Sequence, residues 1–380
     1  MPHRYEPLPT YYTVNPYHIV EYQLRPPSHR SWSNKYDSSN ICTSAVVTSV
    51  NKIKQQYRVE ISGTGMRRLK TAINWFYYLS IPKEVKNNKF KTKFKFKLNF
   101  ITLTLPCNQL HGDKFVKSEM LGSFLNLLRK QHKVVNYIWK AEKTKLGNIH
   151  FHILTDVYIH YNTINSIWNK ILKFNGYIDE YRCIQQAYHK CGFQVRPELL
   201  KHWSYENQKK AYIKGIKSGW QEPSGTTDIH SLSKLKNVRS YLLKYFSKNI
   251  NSTYKDGKDN NKSDLFSGLD KANFAHPENT VNQDGEIQEI NAIEGNIWFT
   301  SQSLSACKNF AYEETNTLYD TLRTFQTEHP EKVINGDYYN IYLFGINDLK
   351  KLGAQEFYEK IAPDIEQNRQ HLYKNYVLPI

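Results

Sequence analysis

Two histidines separated by a single residue carry the first recognisable chemistry in this chain. His150 and His152 lie in segment 147–154, whose alternation of residue types is typical of a β-strand. Residues two apart on a strand point to the same face, about 6.5 Å from each other, so both imidazoles can reach one cation. Glu142 ends the preceding predicted strand and lies across the hairpin, where its carboxylate can complete a three-ligand face. Two neutral imidazoles and one carboxylate suit a divalent ion such as Mn²⁺ or Mg²⁺.

The same three residues also have ordinary structural explanations. A histidine pair can be a structural or exposed pair that binds no metal, and Glu142 can form a salt bridge with Lys140 or Lys143. The metal site is therefore a hypothesis about geometry, and the structure must bring the three side chains together for it to hold.

A second group of reactive side chains lies on a predicted helix. Tyr241, Lys244, Tyr245 and Lys248 occupy positions i, i+3, i+4 and i+7, which share one helical face. A phenol has a pKa of about 10 and is a weak nucleophile until the phenolate is favoured. A metal on a phosphodiester and the ammonium of Lys244 would favour attack by Tyr241, which leaves a 5′-phosphotyrosine and a free 3′-OH. The alternative is an amphipathic basic helix that uses its tyrosines for packing.

Hydrophobic periodicity predicts the elements that must position these residues. Spacing of 3.6 predicts helices over 66–79, 117–132, 164–174, 205–218 and 238–247. Alternation predicts strands over 89–97, 100–106, 134–142, 149–157 and 227–232, with a break near residue 99, where the apolar parity shifts.

The net charge indicates a polyanionic partner. Lys and Arg number 52 against 35 acidic residues, a net charge of +17. Residues 293–380 carry 8 basic and 12 acidic side chains, so residues 1–292 carry 44 and 23, a net charge of +21. Nucleic acid is the first candidate for a surface of that sign, and 28 Tyr, 18 Phe and 7 Trp offer faces on which unpaired bases can stack.

The remaining composition indicates an intracellular protein that does not enter a membrane. No run of about 18 uncharged apolar residues occurs, so no membrane span is predicted. The first residues lack the apolar stretch of a signal peptide, and five scattered cysteines fit reduced thiols better than a disulfide framework.

In order and spacing, three motifs resemble those of HUH endonucleases. They are Phe-Ile-Thr-Leu-Thr-Leu-Pro at 100–106, His-Phe-His at 150–152 and Tyr-Leu-Leu-Lys-Tyr at 241–245. Within that superfamily the chain looks like the replication initiators of microviruses, the small circular single-stranded DNA phages. Segments 227–231 and 297–304 add to the likeness, which covers roughly residues 65–310.

The resemblance implies a fold, a site and a function. The fold is α+β, with a central antiparallel sheet flanked by helices (a ferredoxin- or RRM-like palm) and the histidines on a central strand. His150 and His152 become metal ligands, Tyr241 the first nucleophile and Tyr245 the second, with Glu142 as third ligand and Lys244 as catalytic lysine. The expected activity is metal-dependent, site-specific nicking and joining of single-stranded origin DNA during rolling-circle replication, in the cytoplasm of a bacterial host.

Partners and domain boundaries follow from the same likeness. A free 3′-OH can prime a host polymerase, and because no G-x-x-x-x-G-K-[ST] motif is present, unwinding would need a host helicase. The predicted divisions are an extended leader over 1–60 that can be partly disordered, an endonuclease domain over 61–250, a flexible linker or long loop over 251–292, and a small mixed α/β region over 293–380.

Two other functions stay open at the level of sequence. A plasmid initiator or a conjugative relaxase would share the same set of residues. A non-catalytic single-strand-binding protein would use the basic and aromatic surface alone, and its histidines and tyrosines would have no part in chemistry. Strand cleavage separates the enzymes from the binding protein.

Overall fold

The computed structural model describes ten stretches of the chain. These are residues 10–23, 57–58, 61–87, 92–144, 146–201, 203–231, 238–247, 292–313, 316–336 and 338–374. The predicted linker lies outside the described residues, apart from residue 292, and so does most of the predicted leader.

Fourteen strands occur in the described residues. They are β1 (Thr10–Asn15), β2 (His18–Gln23), β3 (Tyr57–Arg58), β4 (Lys83–Asn87), β5 (Thr92–Phe96), β6 (Asn99–Leu103), β7 (Tyr137–Lys143), β8 (Ile149–Thr155), β9 (Thr227–Ser231), β10 (Ile293–Glu294), β11 (Trp298–Thr300), β12 (Phe310–Glu313), β13 (Val333–Asn335) and β14 (Tyr339–Tyr342).

Nine α-helices of five residues or more occur in the same stretches. They are α1 (Gly63–Leu79), α2 (Gly122–His132), α3 (Tyr161–Phe174), α4 (Tyr177–Tyr188), α5 (Tyr205–Ser218), α6 (Val238–Ser247), α7 (Gln302–Ala306), α8 (Asn316–Glu328) and α9 (Gln355–Tyr373). A helical turn over Asp113–Phe115 and a π-helical segment over Val116–Leu121 lead into α2.

The central sheet has five strands in the order β11-β7-β8-β6-β9, and every neighbouring pair is antiparallel. β8, which carries both histidines, is the middle strand and is buried along its whole length. A strand with neighbours on both sides has its backbone fixed by two ladders of hydrogen bonds, so it holds its side chains in a defined register.

The two faces of this sheet differ in chemistry. Registers Lys140↔His152 and Thr102↔His152 place polar side chains beside the histidines on one face. The other face of β8 and β6 presents Phe151, Ile153 and Ile101, each at most 1% exposed. Helix α6 covers part of the histidine face, since Phe246 packs edge-on against Phe100 at 6.1 Å between ring centroids.

A second five-stranded antiparallel sheet joins the two ends of the described chain. Its order is β12-β1-β2-β14-β13, so the β1–β2 hairpin from the predicted leader pairs with strands from the C-terminal region. One connected apolar core, which includes Tyr12, Phe100, Phe151 and Ile361, extends through both sheets.

The predicted fold class is confirmed: the chain is α+β, with antiparallel sheets flanked by helices. The predicted break near Asn99 is the short gap between β5, which pairs with β4 in a separate hairpin, and β6, which enters the central sheet. Strand β11 also joins the central sheet, although it belongs to the region predicted as C-terminal. The domain boundaries stay a prediction.

Candidate metal centre and tyrosine helix

The β7–β8 hairpin brings Glu142 to the histidines. Glu142 is the cross-strand partner of His150, and Lys140 is the partner of His152. Opposite residues on neighbouring antiparallel strands have Cβ atoms about 5 Å apart and point to the same face. The carboxylate and both imidazoles therefore share one small patch, as the sequence predicted from the hairpin.

Three donor atoms converge there. His150 Nε2 lies 3.1 Å from His152 Nε2. Glu142 Oε2 lies 3.6 Å from each of these nitrogen atoms. Among the described residues this is the one group of three or more His, Cys, Asp or Glu side chains whose ligand atoms come close enough for a metal ion, all within 4.8 Å of one another.

These spacings fit one divalent cation. Two ligand atoms about 2.1 Å from an ion and at right angles to each other lie about 3.0 Å apart, and a tetrahedral angle gives about 3.4 Å. The triangle of 3.1, 3.6 and 3.6 Å is close to both values. Two imidazoles and one carboxylate on one side of an ion leave its other positions for phosphate oxygens or water.

The electrostatics keep Glu142 and His152 in metal-binding forms. Burial acts to raise the pKa of Glu142, but interactions with the two imidazoles and the charge of Lys140 outweigh it and hold that pKa well below its ordinary value. Burial lowers the pKa of His152, and the nearby Glu142 only partly offsets this. The carboxylate is therefore ionised and the His152 imidazole neutral near neutral pH, the states in which these groups bind metal.

A second layer of contacts orients the ligands. His152 Nδ1 shares a hydrogen bond of 3.1 Å with Thr102 Oγ1 on the neighbouring strand β6. In the tautomer in which Nδ1 donates to Thr102, the lone pair of Nε2 points at the cluster. Phe100 stacks on the same imidazole at 5.3 Å between ring centroids, which fixes the plane of the ring.

Lys140 holds the carboxylate from the other side. Its ammonium donates a 2.7 Å hydrogen bond to Glu142 Oε1, and the lysine is 3% exposed. Lys143 instead pairs with Asp113 at 2.6 Å. Of the two ordinary partners predicted for Glu142, the structure selects Lys140, and this pairing leaves Oε2 facing the imidazoles.

Helix α6 brings Tyr241 next to this cluster. Tyr241 is half-buried, and its ring meets Phe100 edge-on at 6.2 Å between centroids. Because Phe100 also stacks on His152, one aromatic ring separates the phenol from a candidate ligand. Leu242 and Phe246 are both fully buried and anchor the helix.

The other residues of the tyrosine motif are described less fully. For Lys244 and Tyr245 the structure describes only the backbone, which is helical within α6. Lys248 lies outside the described residues. Their roles stay predictions that rest on the helical spacing.

Sequence reasoning missed two residues of this site. Thr102 occurs in a strand of alternating polarity, but only the register of β6 against β8 shows that it faces His152. In the alternation of its strand, Phe100 looks like an ordinary apolar core residue. Its position between His152 and Tyr241 follows from where helix α6 packs. Both residues belong to the 100–106 motif, but the motif alone does not show that they contact His152.

The comparison with family models supports a replication function. Residues 98–250 match the family model Replication-associated protein ORF2/G2P. That is a family of rolling-circle replication proteins. No curated protein matches the chain, and no solved structure matches it.

The residues that match this family model include every candidate site residue. Both strands of the metal cluster, strand β6 and helix α6 lie within residues 98–250. The match therefore supports a replication initiator that acts on origin DNA, with endonuclease activity of the general kind that such initiators use. In the part of the chain that the structure describes, no helix is both long and apolar enough to cross a membrane.

Proposed function

We propose that this chain initiates rolling-circle replication as a metal-dependent, site-specific endonuclease and ligase for single-stranded DNA, in the manner of HUH endonucleases of microviruses. The observation that carries the proposal is the convergence of Glu142, His150 and His152 at the central strand, one aromatic ring away from Tyr241. The expected setting is the cytoplasm of a bacterial host.

Cleavage is a transesterification at phosphorus. The Tyr241 oxygen attacks the scissile phosphate, a new phosphorus–oxygen bond forms, and the bond from phosphorus to the 3′ oxygen breaks. The phenolic proton is lost to solvent or a base, and the departing 3′ oxygen gains a proton. The products are a 5′-phosphotyrosine and a free 3′-OH. A bound divalent cation, Mn²⁺ or Mg²⁺, would supply charge neutralisation on the phosphate oxygens.

The protein's own groups do the remaining work. Thr102 and Phe100 fix the orientation of His152, and Lys140 fixes that of Glu142. Lys244, one turn along α6 from Tyr241, would stabilise phenolate and phosphorane charge.

Joining is the same reaction in reverse. A 3′-OH attacks the phosphotyrosine, restores the phosphodiester and releases the phenol. Tyr245, also one turn from Tyr241, would attack the regenerated origin junction while Tyr241 is still esterified. The 3′-OH freed at the first cleavage would prime a host polymerase, and a host helicase would open the duplex.

The test is covalent trapping of DNA. Purified protein is incubated with Mn²⁺ and a single-stranded DNA library with a randomised core, and denaturing gels resolve any protein–DNA adduct, whose DNA is sequenced. We expect an adduct with a shared sequence, and we expect Tyr241→Phe to remove it.

The matched variant is Tyr245→Phe. It should still form the adduct but fail to resolve a regenerated junction into circles. Undiminished adduct in Tyr241→Phe would place the nucleophile elsewhere. Tight library binding without any adduct would favour the non-catalytic binding protein, whereas cleavage without circle formation by the wild type would favour a relaxase-like activity.

A further inference from the structure

A basic groove lies between the start of α1 and the edge strand β11. We call it the arginine groove, and its defining residues are Arg58, Arg67, Arg68, Lys308 and Trp298. It encloses about 840 Å³, which is large enough for an extended polymer to lie in it rather than one small anion.

The charge of the arginine groove is of one sign. Among the described residues, four cationic side chains line it, all of them exposed, and no acidic side chain does. None of them pairs with a carboxylate of the described residues. The first turn of α1 also carries no acidic residue, although a helix N-terminus favours negative charge. These four cations would stabilise a bound polyanion, and without one they repel each other.

One aromatic side chain completes the groove. Trp298 is half-buried, and its indole nitrogen lies at van der Waals distance from the position of a Cβ atom on Gly65, so the ring sits against the start of α1. The next residue, Phe299, points to the opposite face of the sheet, where it lies against Trp139 at 6.4 Å between ring centroids. An aromatic face beside cations is a feature on which an unpaired base stacks while its phosphates are neutralised.

The arginine groove adjoins the candidate metal centre. Trp298 is the cross-strand partner of Lys140, which is the partner of His152, so these three residues form one row on one face of the sheet. With strands about 4.8 Å apart, the backbone of Trp298 lies about 10 Å from that of His152. A strand of DNA lying in the groove would thus continue directly toward the cluster.

The groove is built from chain segments outside the replication-associated match. Its lining comes from residues 58–72 and 296–309, whereas the match covers residues 98–250. We propose that the arginine groove binds single-stranded DNA on one side of the scissile phosphate, with phosphates on Arg67 and Arg68 and a base on Trp298. The position relative to cleavage rests on the proposed function; the binding itself does not.

Single strands fit the groove better than a duplex. The bases of a duplex are stacked on each other and present only their edges, so Trp298 would have no base face to contact. Sequence-tolerant stacking of this kind accounts for a substantial part of single-strand affinity.

Metal-free binding tests this assignment. Fluorescence anisotropy measures the affinity of the full chain for a labelled oligothymidylate as salt is varied. We expect Arg67→Ala/Arg68→Ala to weaken binding at least tenfold and to lower the slope of log affinity against log salt by about 1.4, since each phosphate that is no longer neutralised lowers it by about 0.7. The matched control is Lys332→Ala/Lys351→Ala, which removes two exposed lysines outside the groove, one in the 3₁₀ turn before β13 and one in the turn before α9.

Photo-crosslinking is a second test, and it uses the wild-type protein, so it does not depend on the folding of a variant. An oligonucleotide that carries 5-iododeoxyuridine should crosslink to Trp298. Equal weakening in the arginine and lysine variants, crosslinks only elsewhere, or equal affinity for a matched duplex would overturn the assignment. If the wild type forms no adduct but the arginine variant binds DNA more weakly, the groove assignment holds and the nuclease proposal is wrong. If the wild type forms the adduct and the arginine variant binds as tightly as the wild type, the nuclease proposal holds and the groove assignment is wrong.

Discussion

Each of the two five-stranded sheets carries a hydrogen-bonded glutamate, Glu21 buried and Glu142 half-buried, and the surroundings of the two carboxylates differ. Glu21, on β2 of the second sheet, accepts hydrogen bonds from Arg323 on one oxygen and from Asn340 and Tyr342, both at 2.8 Å, on the other. Each of these three neighbours is a donor. Glu142, on β7 of the central sheet, accepts a hydrogen bond from Lys140 on one oxygen, and its other oxygen faces two imidazole nitrogen atoms.

The difference separates a structural cluster from a binding cluster. A buried carboxylate surrounded by donors is satisfied within the fold, and its role is to hold strands and helices together. A carboxylate oxygen that meets two metal-binding nitrogen atoms forms a set of ligands around a common centre. Removal of Glu21 should therefore lower the free energy of unfolding, whereas removal of a residue of the central cluster should lower the rate of adduct formation.

The largest expected effect is on adduct formation by the central cluster. His150→Ala should lower the rate of covalent adduct formation with Mn²⁺ by more than about 100-fold, because it removes one of three ligands. The control is His371→Ala, which removes an exposed histidine of α9. Circular dichroism checks that both variants fold, and full adduct formation by a folded His150→Ala protein would remove the metal-site assignment.

The second effect is on stability in the other sheet. Glu21→Ala leaves the donors of Arg323, Asn340 and Tyr342 without their acceptor, so we expect a decrease of about 2–4 kcal/mol in the free energy of unfolding. Urea unfolding measures it, with the exposed Glu328→Ala as matched control. Adduct formation per folded molecule should be unchanged. A stable Glu21→Ala protein that no longer forms the adduct would reverse the roles of the two clusters.

The smallest effect comes from the residue behind His152. Thr102→Val keeps the shape of the side chain and removes the hydroxyl that orients the imidazole through Nδ1. We expect about tenfold weaker Mn²⁺ affinity, because the hydrogen bond that orients a metal ligand typically contributes at least that much. Titration of the thermal midpoint with Mn²⁺ measures this, and an unchanged midpoint curve would show that Thr102 does not position His152.

Much of the central sheet and of the site followed from local patterns. Period-two alternation predicted strand β8, and helical spacing predicted α6 with the bounds that it has, because the period of the apolar residues matches the geometry of each element. Glu142 was predicted beside the histidines because a short turn fixes the pairing of a hairpin.

The parts that sequence did not predict depend on distant pairing. The β1–β2 hairpin belongs to a segment predicted as an extended leader, but its partners β12 and β14 are far away in the chain and leave no local periodicity. Helix α4 was missed because it buries only Tyr177, Ile178 and Gln185, which is too few apolar positions for a clear stripe. The position of Thr102 behind His152 needs a register that only the folded sheet supplies.

The central claim is that Tyr241 attacks the scissile phosphate beside the histidine cluster. The most direct measurement is mass spectrometry of the wild-type adduct after digestion with protease and nuclease, which identifies the residue that carries the 5′-nucleotide. We expect a nucleotide on Tyr241 in a single cleavage reaction. A nucleotide found only on Tyr245, or on any residue outside α6, would contradict it.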